Sequence, residues 1–580
     1  MVRLRGRPWC WGGILALVVA GPVSAQVFEK HVVVSQEGHA SDIGRDVLRR
    51  GGNAVDAAIA TAFALAVTHP AAGNLGGGGF LVAYRPETKQ VVTIDFRETA
   101  PAAATERMYL GPDGKLLPHH RAGARAAGVP GTVRGLGLAH QLYGQVPWAD
   151  LVRPAARLAR AGFPISATLA RSLNAQLFRQ AERAGVPEDL GPQADRLADF
   201  PESVACFRKP DGTPWKAGDR WVQPELADTL DRIAADGPDE FYNGRTADLI
   251  ARYMESHGGL ITRDDLAAYR AKVRPPVHTT YRGFDVYSMG PPASGGILVA
   301  EMLNILERYD LKADGPRAPQ TLHRVAEAMR RGFYTRATAI ADPDFVPVDV
   351  ARLTSKSYAD ELARTITDRA TASEDLADFP ILDREGSETT HLSTIDERGG
   401  AVALTYTLEE GYGCKATVAG AGFLLNNEMG DFNLIPGRTD RAGRIGTAAN
   451  LIAPRKRMLS SQAPTIVLKG DRVHLVTGSP GGRTIPSTTL WVVLNVLEFG
   501  LAPRAAVDAP RTHHPWFPDV LNLEGSSWPE PTRAALRAKG HTLGTIAVQG
   551  DAHTIVVDLE TGRRFGVADR RRATAQASGD

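Results

Sequence analysis

The sequence predicts a mixed α+β protein, and three observations along the chain support that fold class. The first third alternates short β-branched runs with stretches of helical periodicity. The middle, residues 134–364, is dominated by helical periodicity that is broken at Gly and Pro. The last part, from residue 389 onward, contains several strand patterns joined by tight turns. We therefore expect helices and strands in several packed layers.

The elements of the first third follow from local patterns. Asn53 stands before an apolar periodic run, where its side chain can cap a helix. The turn Pro86-Glu87-Thr88-Lys89 separates two apolar runs, which is typical of a hairpin. The expected elements are a strand over 31–35, helices over 40–50 and 53–69, and a hairpin of 81–84 with 91–96.

The last part of the chain is predicted to be rich in strands. Its first hairpin closes at Glu397-Arg398-Gly399-Gly400, and a later one turns at Gly470-Asp471. The expected elements are a hairpin of 391–396 with 401–408, strands over 422–425, 465–468, 473–476, 553–557 and 564–567, and a helix over 484–499.

Composition excludes several classes of protein. The 580 residues are 43% hydrophobic and 23% charged, which is ordinary for a globular protein. A net charge of +2 is too small for a dedicated nucleic-acid binder. Three cysteines exclude a disulfide framework and a multi-cysteine metal site. P-loop, zincin and nucleophile-elbow motifs are absent from the sequence, so we expect an enzyme without a cofactor or a metal.

The N-terminus has the pattern of a secretory signal over residues 1–25. Arg3, Arg5 and Arg7 precede an apolar run over 9–20, and Val23-Ser24-Ala25 supplies small residues before the cleavage point. The alternative is a membrane anchor, but this run is shorter than the ~20 residues needed to span a bilayer. We expect a mature protein that is periplasmic or secreted and not held in the membrane. There, Cys206 and Cys414 either pair or remain unlinked structural thiols.

The junction at residue 389 suggests chemistry. Residues 368–388 carry seven acids against two bases and predict a solvated, mobile linker. Immediately after it, Thr389 opens the first strand pattern. A threonine that becomes a new N-terminus carries both a hydroxyl nucleophile and an α-amine, with a pKa near ~7.7–8.0, that can act as its base. The alternative is an ordinary threonine at the start of a strand.

Six motifs in order along the chain resemble the γ-glutamyltransferase family of N-terminal-nucleophile hydrolases. They are Gly-Asn-Leu-Gly-Gly-Gly-Gly at 73–79, Asp-Phe-Arg-Glu at 95–98, Thr-Thr-His at 389–391, Leu-Leu-Asn-Asn-Glu-Met-Gly-Asp-Phe at 424–432, Leu-Ser-Ser at 459–461 and Thr-Gly-Ser-Pro-Gly-Gly at 477–482. The resemblance implies self-cleavage between Glu388 and Thr389. It implies a large subunit of residues 26–388 and a small catalytic subunit of 389–580, joined in one four-layer αββα sandwich.

The resemblance also implies a role for each site residue. The activity implied is hydrolysis of glutathione and related γ-glutamyl donors through an ester on Thr389, with water, an amino acid or a dipeptide as acceptor. Thr407 would support the nucleophile. The remaining roles are the α-carboxylate ligands Arg97, Ser460 and Ser461, the α-ammonium ligands Glu409, Glu428 and Asp431, and the oxyanion donors Gly481 and Gly482.

One loop departs from the family pattern. Residues 433–446 resemble the substrate lid, but Ala442 stands near the position where some members carry a gating aromatic residue. The loop instead carries Arg438, Arg441 and Arg444. A less sealed site admits water more easily, so we expect hydrolysis to outweigh transfer.

Other functions remain open on the same scaffold. One is an acylase that removes glutaryl side chains from β-lactams, and another is a poly-γ-glutamate hydrolase. A glutaryl group lacks the α-ammonium, so the presence of Asp431 favours a glutamyl substrate. A more distant alternative is an uncleaved, inactive binding protein of the cell envelope.

Overall fold

The computed structural model describes residues 25–178, 195–377, 389–441 and 445–580. The expected signal over 1–25 lies outside the described residues except for Ala25. Glu388, Ala442 and Arg444 also lie outside them.

Strands occur in both halves of the chain. In chain order they are β1 (Gln26–Phe28), β2 (Val32–Ser35), β3 (Gly78–Arg85), β4 (Gln90–Asp95), β5 (Phe163–Pro164), β6 (Arg220–Trp221), β7 (Lys272–Arg274), β8 (Val277–Tyr281), β9 (Phe284–Ser288), β10 (Thr390–Ile395), β11 (Ala401–Thr407), β12 (Thr465–Lys469), β13 (Arg472–Thr477), β14 (Thr512–His513), β15 (Leu521–Glu524), β16 (Leu543–Ile546), β17 (Thr554–Val557), β18 (Arg564–Val567) and β19 (Gln576–Gly579).

Helices are concentrated in the middle of the chain. They are α1 (Gly38–Arg49), α2 (Ala54–Thr68), α3 (Thr132–Tyr143), α4 (Trp148–Ala161), α5 (Ala167–Leu177), α6 (Pro201–Phe207), α7 (Pro224–Asp236), α8 (Asp239–Asn243), α9 (Arg245–Ser256), α10 (Arg263–Ala268), α11 (Gly295–Leu306), α12 (Leu311–Asp314), α13 (Pro319–Ala339), α14 (Val350–Leu353), α15 (Lys356–Arg364), α16 (Thr484–Leu497), α17 (Pro503–Asp508) and α18 (Glu530–Ala538).

The described residues form two seven-stranded sheets and two small ones. The first large sheet has the order β19-β2-β10-β11-β3-β4-β7, and the second has the order β1-β18-β17-β13-β12-β9-β8. The small sheets are β14-β15-β16 and β5-β6. Each large sheet combines strands that precede residue 389 with strands that follow it, so both parts of the chain build both sheets.

The two large sheets pack face to face between layers of helices. Phe80 and Val82 of β3 lie in the core between the sheets, together with Ile466 of β12. Leu81, which lies between them in sequence, packs on the opposite face with α2 and neighbouring helices. Helices α11, α13 and α16 cover the outer face of the second sheet around Val467. This alternation confirms the four-layer αββα sandwich, because successive strand residues point to opposite faces.

Helix α2 begins where its cap was predicted. The Asn53 side chain accepts hydrogen bonds from the backbone N–H of Val55 and Asp56 at 2.9 and 3.0 Å. The Asp56 carboxylate in turn accepts the N–H of Asn53 at 3.0 Å. This reciprocal arrangement satisfies backbone donors that the first helical turn leaves unpaired, and such caps are worth about 0.5–2 kcal/mol.

Three expectations from the sequence differ from the structure. The expected strand over 422–425 is not regular, and its residues make only isolated bridges, Gly76 with Leu425 and Thr417 with Leu424. The hairpin of β8 and β9 was not expected within the helical middle. The expected linker over 368–388 begins as ordered chain, because a 3₁₀ turn spans Ser373–Leu376 and its first residue is buried.

No helix among the described residues is long and apolar enough to cross a membrane. Cys206 and Cys414, which the sequence left open as a pair, are both free thiols, and Cys414 is buried.

Candidate active site

Thr389 lies directly before β10, at the centre of the first large sheet. Thr390 pairs with Tyr406 of β11, so the next step of the antiparallel register places Thr389 opposite Thr407. Thr407 also pairs with Gly78 of β3. The two threonines thus lie opposite each other, Thr389 at the start of β10 and Thr407 at the end of β11. Thr389 is 8% exposed and opens onto a cavity of about 410 Å³.

The cavity brings together most of the predicted site. Nine of the ten predicted residues line it: Arg97, Thr389, Thr407, Glu409, Glu428, Asp431, Ser460, Ser461 and Gly482. The tenth, Gly481, is adjacent in sequence to a lining residue but does not line the cavity itself.

The glycine-rich segment at 73–79 sets the end of β11. A Cβ on Gly77 would lie 1.9 Å from the Thr407 carbonyl oxygen, so only glycine permits this backbone approach. The Asn74 side chain donates to the same carbonyl at 2.9 Å and accepts from Gly77 N–H at 3.0 Å. This segment therefore positions Thr407.

Arg97 is the buried cation of the cavity, with 1% of its side chain exposed. Its guanidinium forms an ion pair with Glu428 at 2.7 Å and a second ion pair with Asp431. It also donates to the backbone carbonyls of Met458 and Leu459 at 3.4 and 3.3 Å. The Asp-Phe-Arg-Glu, Glu-Met-Gly-Asp and Leu-Ser-Ser motifs thus meet at one guanidinium.

Acidic groups outnumber this cation around the cavity. Burial raises the pKa of Glu98 to about 8 and raises the pKa values of Glu428 and Glu409 well above the usual range. The charge of Asp431 adds to all three rises. Burial lowers the pKa of Arg97, but Glu428, Glu98 and Asp431 outweigh this and raise it. A further cationic group entering the site would therefore be stabilised.

Glu409 reaches the cavity from a strained backbone position. Its φ of 78° is in the left-handed region, which is unusual for a residue other than glycine. Its backbone N–H donates to the Thr407 hydroxyl oxygen at 2.8 Å. This hydrogen bond fixes the rotamer of the second threonine and directs its hydroxyl hydrogen away from Glu409. Backbone strain of this kind is concentrated at functional sites.

Ser460 and Ser461 also line the cavity. The Ser460 carbonyl accepts a hydrogen bond from the Ser294 hydroxyl at 2.6 Å. The hydroxyl oxygen of Ser460 accepts from the Gln462 N–H at 3.2 Å. The Ser461 hydroxyl oxygen accepts from Arg336 Nε at 3.1 Å. Both hydroxyls are therefore held in place at the cavity surface.

Gly481 and Gly482 form the turn that leads into α16. Their φ angles are 125° and 52°, which other residues rarely adopt. Their carbonyls accept from the backbone N–H of Thr484 and Ile485, both at 3.0 Å. Both carbonyls thus accept hydrogen bonds from the first turn of the helix. This arrangement is compatible with a turn whose N–H groups act as donors.

Sequence reasoning missed several residues of the site. Asn450 donates to the Asp431 carbonyl at 2.7 Å and accepts from Leu459 N–H at 2.9 Å, so it ties two site segments together. It lies outside every motif, and no local pattern marks it. Three arginines that line the cavity were also missed: Arg121, Arg336 and Arg483.

The loop at 433–446 borders the cavity. Leu434 and Ile445 line it. Arg441 forms an ion pair with Glu374 at 2.5 Å, which connects this loop to chain that precedes Thr389 in sequence.

Comparisons with known proteins agree with this geometry. The family model described as gamma-glutamyltranspeptidase matches residues 40–579. A glutathione hydrolase proenzyme of Escherichia coli (strain K12) is 42% identical over 546 residues, which cover 93% of this chain and 90% of that protein.

Two solved structures extend the comparison. A cephalosporin acylase from Bacillus halodurans has a TM-score of 0.81 at 26% identity, covering 100% of this chain and 99% of the other. A gamma-glutamyltranspeptidase chain from Helicobacter pylori has a TM-score of 0.53 at 41% identity, covering 57% of this chain and 90% of the other. The region that the family model matches lies on both sides of residue 389.

Proposed function

The chain belongs to the gamma-glutamyltranspeptidase family and is an enzyme of γ-glutamyl hydrolysis and transfer, and from this premise we propose that Thr389 is its nucleophile and glutathione its donor. The observation that carries the proposal is the meeting of Thr389 with Arg97, Asp431 and Glu428 in one cavity. A γ-glutamyl group presents a carboxylate and an ammonium at one end and the reactive carbonyl at the other, and this cavity offers a partner for each.

The nucleophile is generated by self-cleavage between Glu388 and Thr389. Afterwards the α-amine of Thr389 takes the proton of its own hydroxyl while the oxygen attacks the γ-carbonyl carbon. The amide nitrogen of the leaving group receives a proton, and the γ-glutamyl group remains as an ester on Thr389. Water or an acceptor amine then attacks this ester. Thr407 orients the hydroxyl of the nucleophile from the adjacent strand.

The donor head group is recognised by charge. Arg97, with Ser460 and Ser461, holds the α-carboxylate, because a guanidinium offers two parallel donors. Asp431 and Glu428 take the α-ammonium. In the structure these carboxylates already pair with Arg97. The substrate's two charges extend that ion-pair network.

The developing oxyanion is stabilised at the turn before α16. The backbone N–H groups of Gly481 and Gly482 donate to it, as fixed donors that need little reorganisation. Loss of one such donor typically costs ~2.7–4 kcal/mol of transition-state stabilisation.

Arginines at the cavity favour a leaving group that ends in a carboxylate. Arg121, Arg336 and Arg483 line the cavity in addition to the arginine assigned to the head group. The cysteinylglycine part of glutathione ends in a carboxylate, which such guanidinium groups attract.

An acylase acting on glutaryl groups is the second candidate, because a cephalosporin acylase shares the fold at a TM-score of 0.81. A glutaryl group has no ammonium to pair with Asp431 and Glu428, so these acids would keep Arg97 as a partner and gain no favourable contact from the substrate. The acidic cluster therefore favours the glutamyl substrate.

A substrate panel tests the proposed function. The purified enzyme is assayed with glutathione, glutathione amidated at its glycine carboxylate, and glutaryl-p-nitroanilide beside γ-glutamyl-p-nitroanilide. We expect glutamyl turnover at least 100-fold above glutaryl turnover, and a higher KM for the amidated peptide. Equal or faster glutaryl turnover would replace this proposal with the acylase.

The compartment and the subunits belong to the same proposal. We infer export through the signal over residues 1–25, which gives a periplasmic or secreted enzyme. Its large subunit of 26–388 and small subunit of 389–580 remain together, because both parts contribute strands to each large sheet. Its other partners are small-molecule donors and acceptors only.

A further inference from the structure

The chain that leads toward the cleavage point is held by a buried polar network. We call residues 365–376 the tail segment. Its residues from 368 onward belong to the expected solvated linker, yet Ser373 is fully buried. Its backbone and hydroxyl groups bond to helix α13 on one side and to chain beyond residue 513 on the other. After cleavage, the tail segment and this later chain would belong to different subunits.

Helix α13 supplies the first half of the network. The Glu327 carboxylate accepts from the Thr371 hydroxyl at 2.6 Å and from its backbone N–H at 3.2 Å. Arg331 pairs with Glu327 at 2.7 Å and donates to the Thr365 carbonyl at 3.0 Å. Arg330 forms a second ion pair with Glu327. Arg330 also pairs with Asp519, so two arginines face two carboxylates and Thr371 binds an electrically compensated site.

The second half comes from residues 513–519. The Asp519 carboxylate accepts from Ser373 N–H at 2.8 Å and from Arg330 at 2.9 Å. The Ser373 hydroxyl donates to the Trp516 carbonyl at 2.7 Å, and the Trp516 indole donates to the Ser373 carbonyl at 2.8 Å. Arg330 therefore joins the acid that holds Thr371 to the acid that holds Ser373.

Two histidines extend the contact. His323 Nε2 lies 2.8 Å from the Thr367 carbonyl, which can only accept, so this nitrogen carries the hydrogen. His323 Nδ1 is then an acceptor for His541 Nε2 at 2.9 Å. Burial lowers the pKa of both rings, to about 3 for His541, so both remain neutral at physiological pH. The pair therefore adds a contact between uncharged rings.

The same histidines and Glu327 lie close enough to suggest a metal site. Two features oppose that interpretation. Arg330 and Arg331 already neutralise Glu327, and their positive charges would repel a divalent cation. His323 Nδ1 and His541 Nε2, the two nitrogens that face each other, are already joined by the hydrogen bond between the rings. The cluster is better explained as a holder of the tail segment.

We propose that Glu327 and Asp519 are positioning residues for self-cleavage, which they assist by anchoring the tail segment across the future subunit boundary. The inference rests on the proposed function. The tail segment and β10 hold the two ends of the chain between Leu376 and Thr389, so this stretch is a closed loop. Fixing both ends reduces the conformational entropy that the chain must lose before the Thr389 hydroxyl can meet the Glu388 carbonyl. Confinement of reacting groups raises their effective concentration.

The assisted step is an acyl shift followed by hydrolysis. The Thr389 hydroxyl oxygen bonds to the Glu388 carbonyl carbon, and the peptide C–N bond breaks. The hydroxyl proton passes to the departing nitrogen, which becomes the α-amine. Water then adds OH to the acyl carbon and returns a hydrogen to the threonine oxygen. The anchor takes no part in these bonds.

The test compares the rate of maturation with the rate of catalysis. Wild type, Glu327→Gln and Asp519→Asn are made by cell-free synthesis, and conversion of the intact chain to two fragments is followed after translation is stopped. Arg324→Gln is the matched control, because Arg324 lies on the same helix but pairs with Asp314 at the surface, at 2.8 Å. We expect conversion to slow at least tenfold in the two anchor variants and to stay within twofold of wild type in the control.

A milder pair of variants separates anchoring from folding. Thr371→Val removes the hydroxyl that donates to Glu327, and Thr371→Ser keeps one. We expect slow maturation in the first and rescue in the second, with kcat for γ-glutamyl-p-nitroanilide unchanged in the matured fraction of both. Wild-type conversion rates in Glu327→Gln, Asp519→Asn and Thr371→Val overturn the inference. A wild-type chain that is never cleaved overturns the proposed function instead.

Discussion

At the scale of single residues, Asp431 carries the argument for a zwitterionic substrate. It pairs with Arg97 at the edge of a cavity that also contains Glu428 and Glu409. Removing its charge while keeping its shape deprives the substrate ammonium of a partner but leaves the oxyanion turn intact.

We therefore predict that Asp431→Asn lowers kcat/KM for glutathione roughly tenfold, since a hydrogen bond to a charged group is worth about 1–1.5 kcal/mol more than a neutral one. Steady-state kinetics give the value. Asp113→Asn, at an exposed loop acid, serves as the control and should match wild type. An Asp431→Asn enzyme with wild-type kcat/KM would exclude this residue as the ammonium ligand.

A site residue was predictable from the sequence where its motif contains the charged or polar group that the role requires. Arg97 stands in Asp-Phe-Arg-Glu, and its requirement for a carboxylate partner follows from its charge. Asn450 was not predictable, because its contacts join Asp431 and Leu459, and only the folded loop brings these two segments together.

At the scale of elements, the turn before α16 is stabilised by contacts with the loop at residues 550–551. The Ser479 hydroxyl accepts from Asp551 N–H at 2.8 Å and donates to the Pro480 carbonyl at 2.7 Å. A Cβ on Gly550 would lie 2.6 Å from the same hydroxyl oxygen, so the supporting loop also approaches closely. Ser479 thus fixes the peptide that precedes the Gly481–Gly482 pair.

Loss of this support should affect the transition state more than binding. We predict that Ser479→Ala lowers kcat about tenfold and leaves KM nearly unchanged. Misdirected oxyanion donors stabilise the negative charge of the transition state less well, whereas the bound substrate does not yet carry this charge. Ser487→Ala is the control, because it removes a hydroxyl of α16 that is hydrogen-bonded to His513. A change confined to KM would show that Ser479 acts on substrate binding.

The loop at 433–446 is expected to influence whether water or an amine attacks the ester. Leu434 and Ile445 border the cavity, and the lid-like sequence lacks an aromatic near Ala442. We predict that glutamate release exceeds γ-glutamyl-glycylglycine formation at neutral pH, because water reaches a less sealed ester. Quantifying both products with glycylglycine as acceptor gives the ratio, and dominant transfer would contradict the prediction.

Elements with strong local signals were predicted well. The Asn53 cap and the hairpins at 81–96 and 391–408 depend on turn and cap residues that act over a few positions. The segment at 422–425 failed because its apolar residues pair singly with distant chain. β8 does alternate buried and exposed residues, but the helical patterns around it obscured this signal.

At the scale of the whole molecule, a buried acid between α11 and α13 couples stability to pH. Glu301 is fully buried and accepts from the Thr335 hydroxyl at 3.2 Å. Burial raises its pKa from 4.5 to about 8. Between these values the folded protein holds a proton that the unfolded chain releases, so stability falls as pH rises.

Glu301→Gln removes this titration. We predict that the Tm of the variant, relative to wild type, is higher at pH 9 than at pH 5, because only the wild type must bury a carboxylate at the higher pH. Thermal unfolding of both proteins at the two pH values gives the difference. An equal Tm difference at both pH values would contradict the assigned pKa.

The strand order of the two sheets also explains how a chain cut at residue 389 could remain one folded unit. β10 and β11 lie between β2 and β3, so the later part of the chain is enclosed by strands of the earlier part. The motifs indicated the sandwich by resemblance, whereas this interleaving became visible only in the strand pairing.

The central claim is that Thr389 becomes an N-terminal residue. The most direct measurement is intact mass and N-terminal sequencing of the purified, active enzyme. We expect two fragments, the smaller beginning with Thr-Thr-His and ending at Asp580. A single uncut chain that still hydrolyses glutathione, or a small fragment with a different first residue, would contradict it.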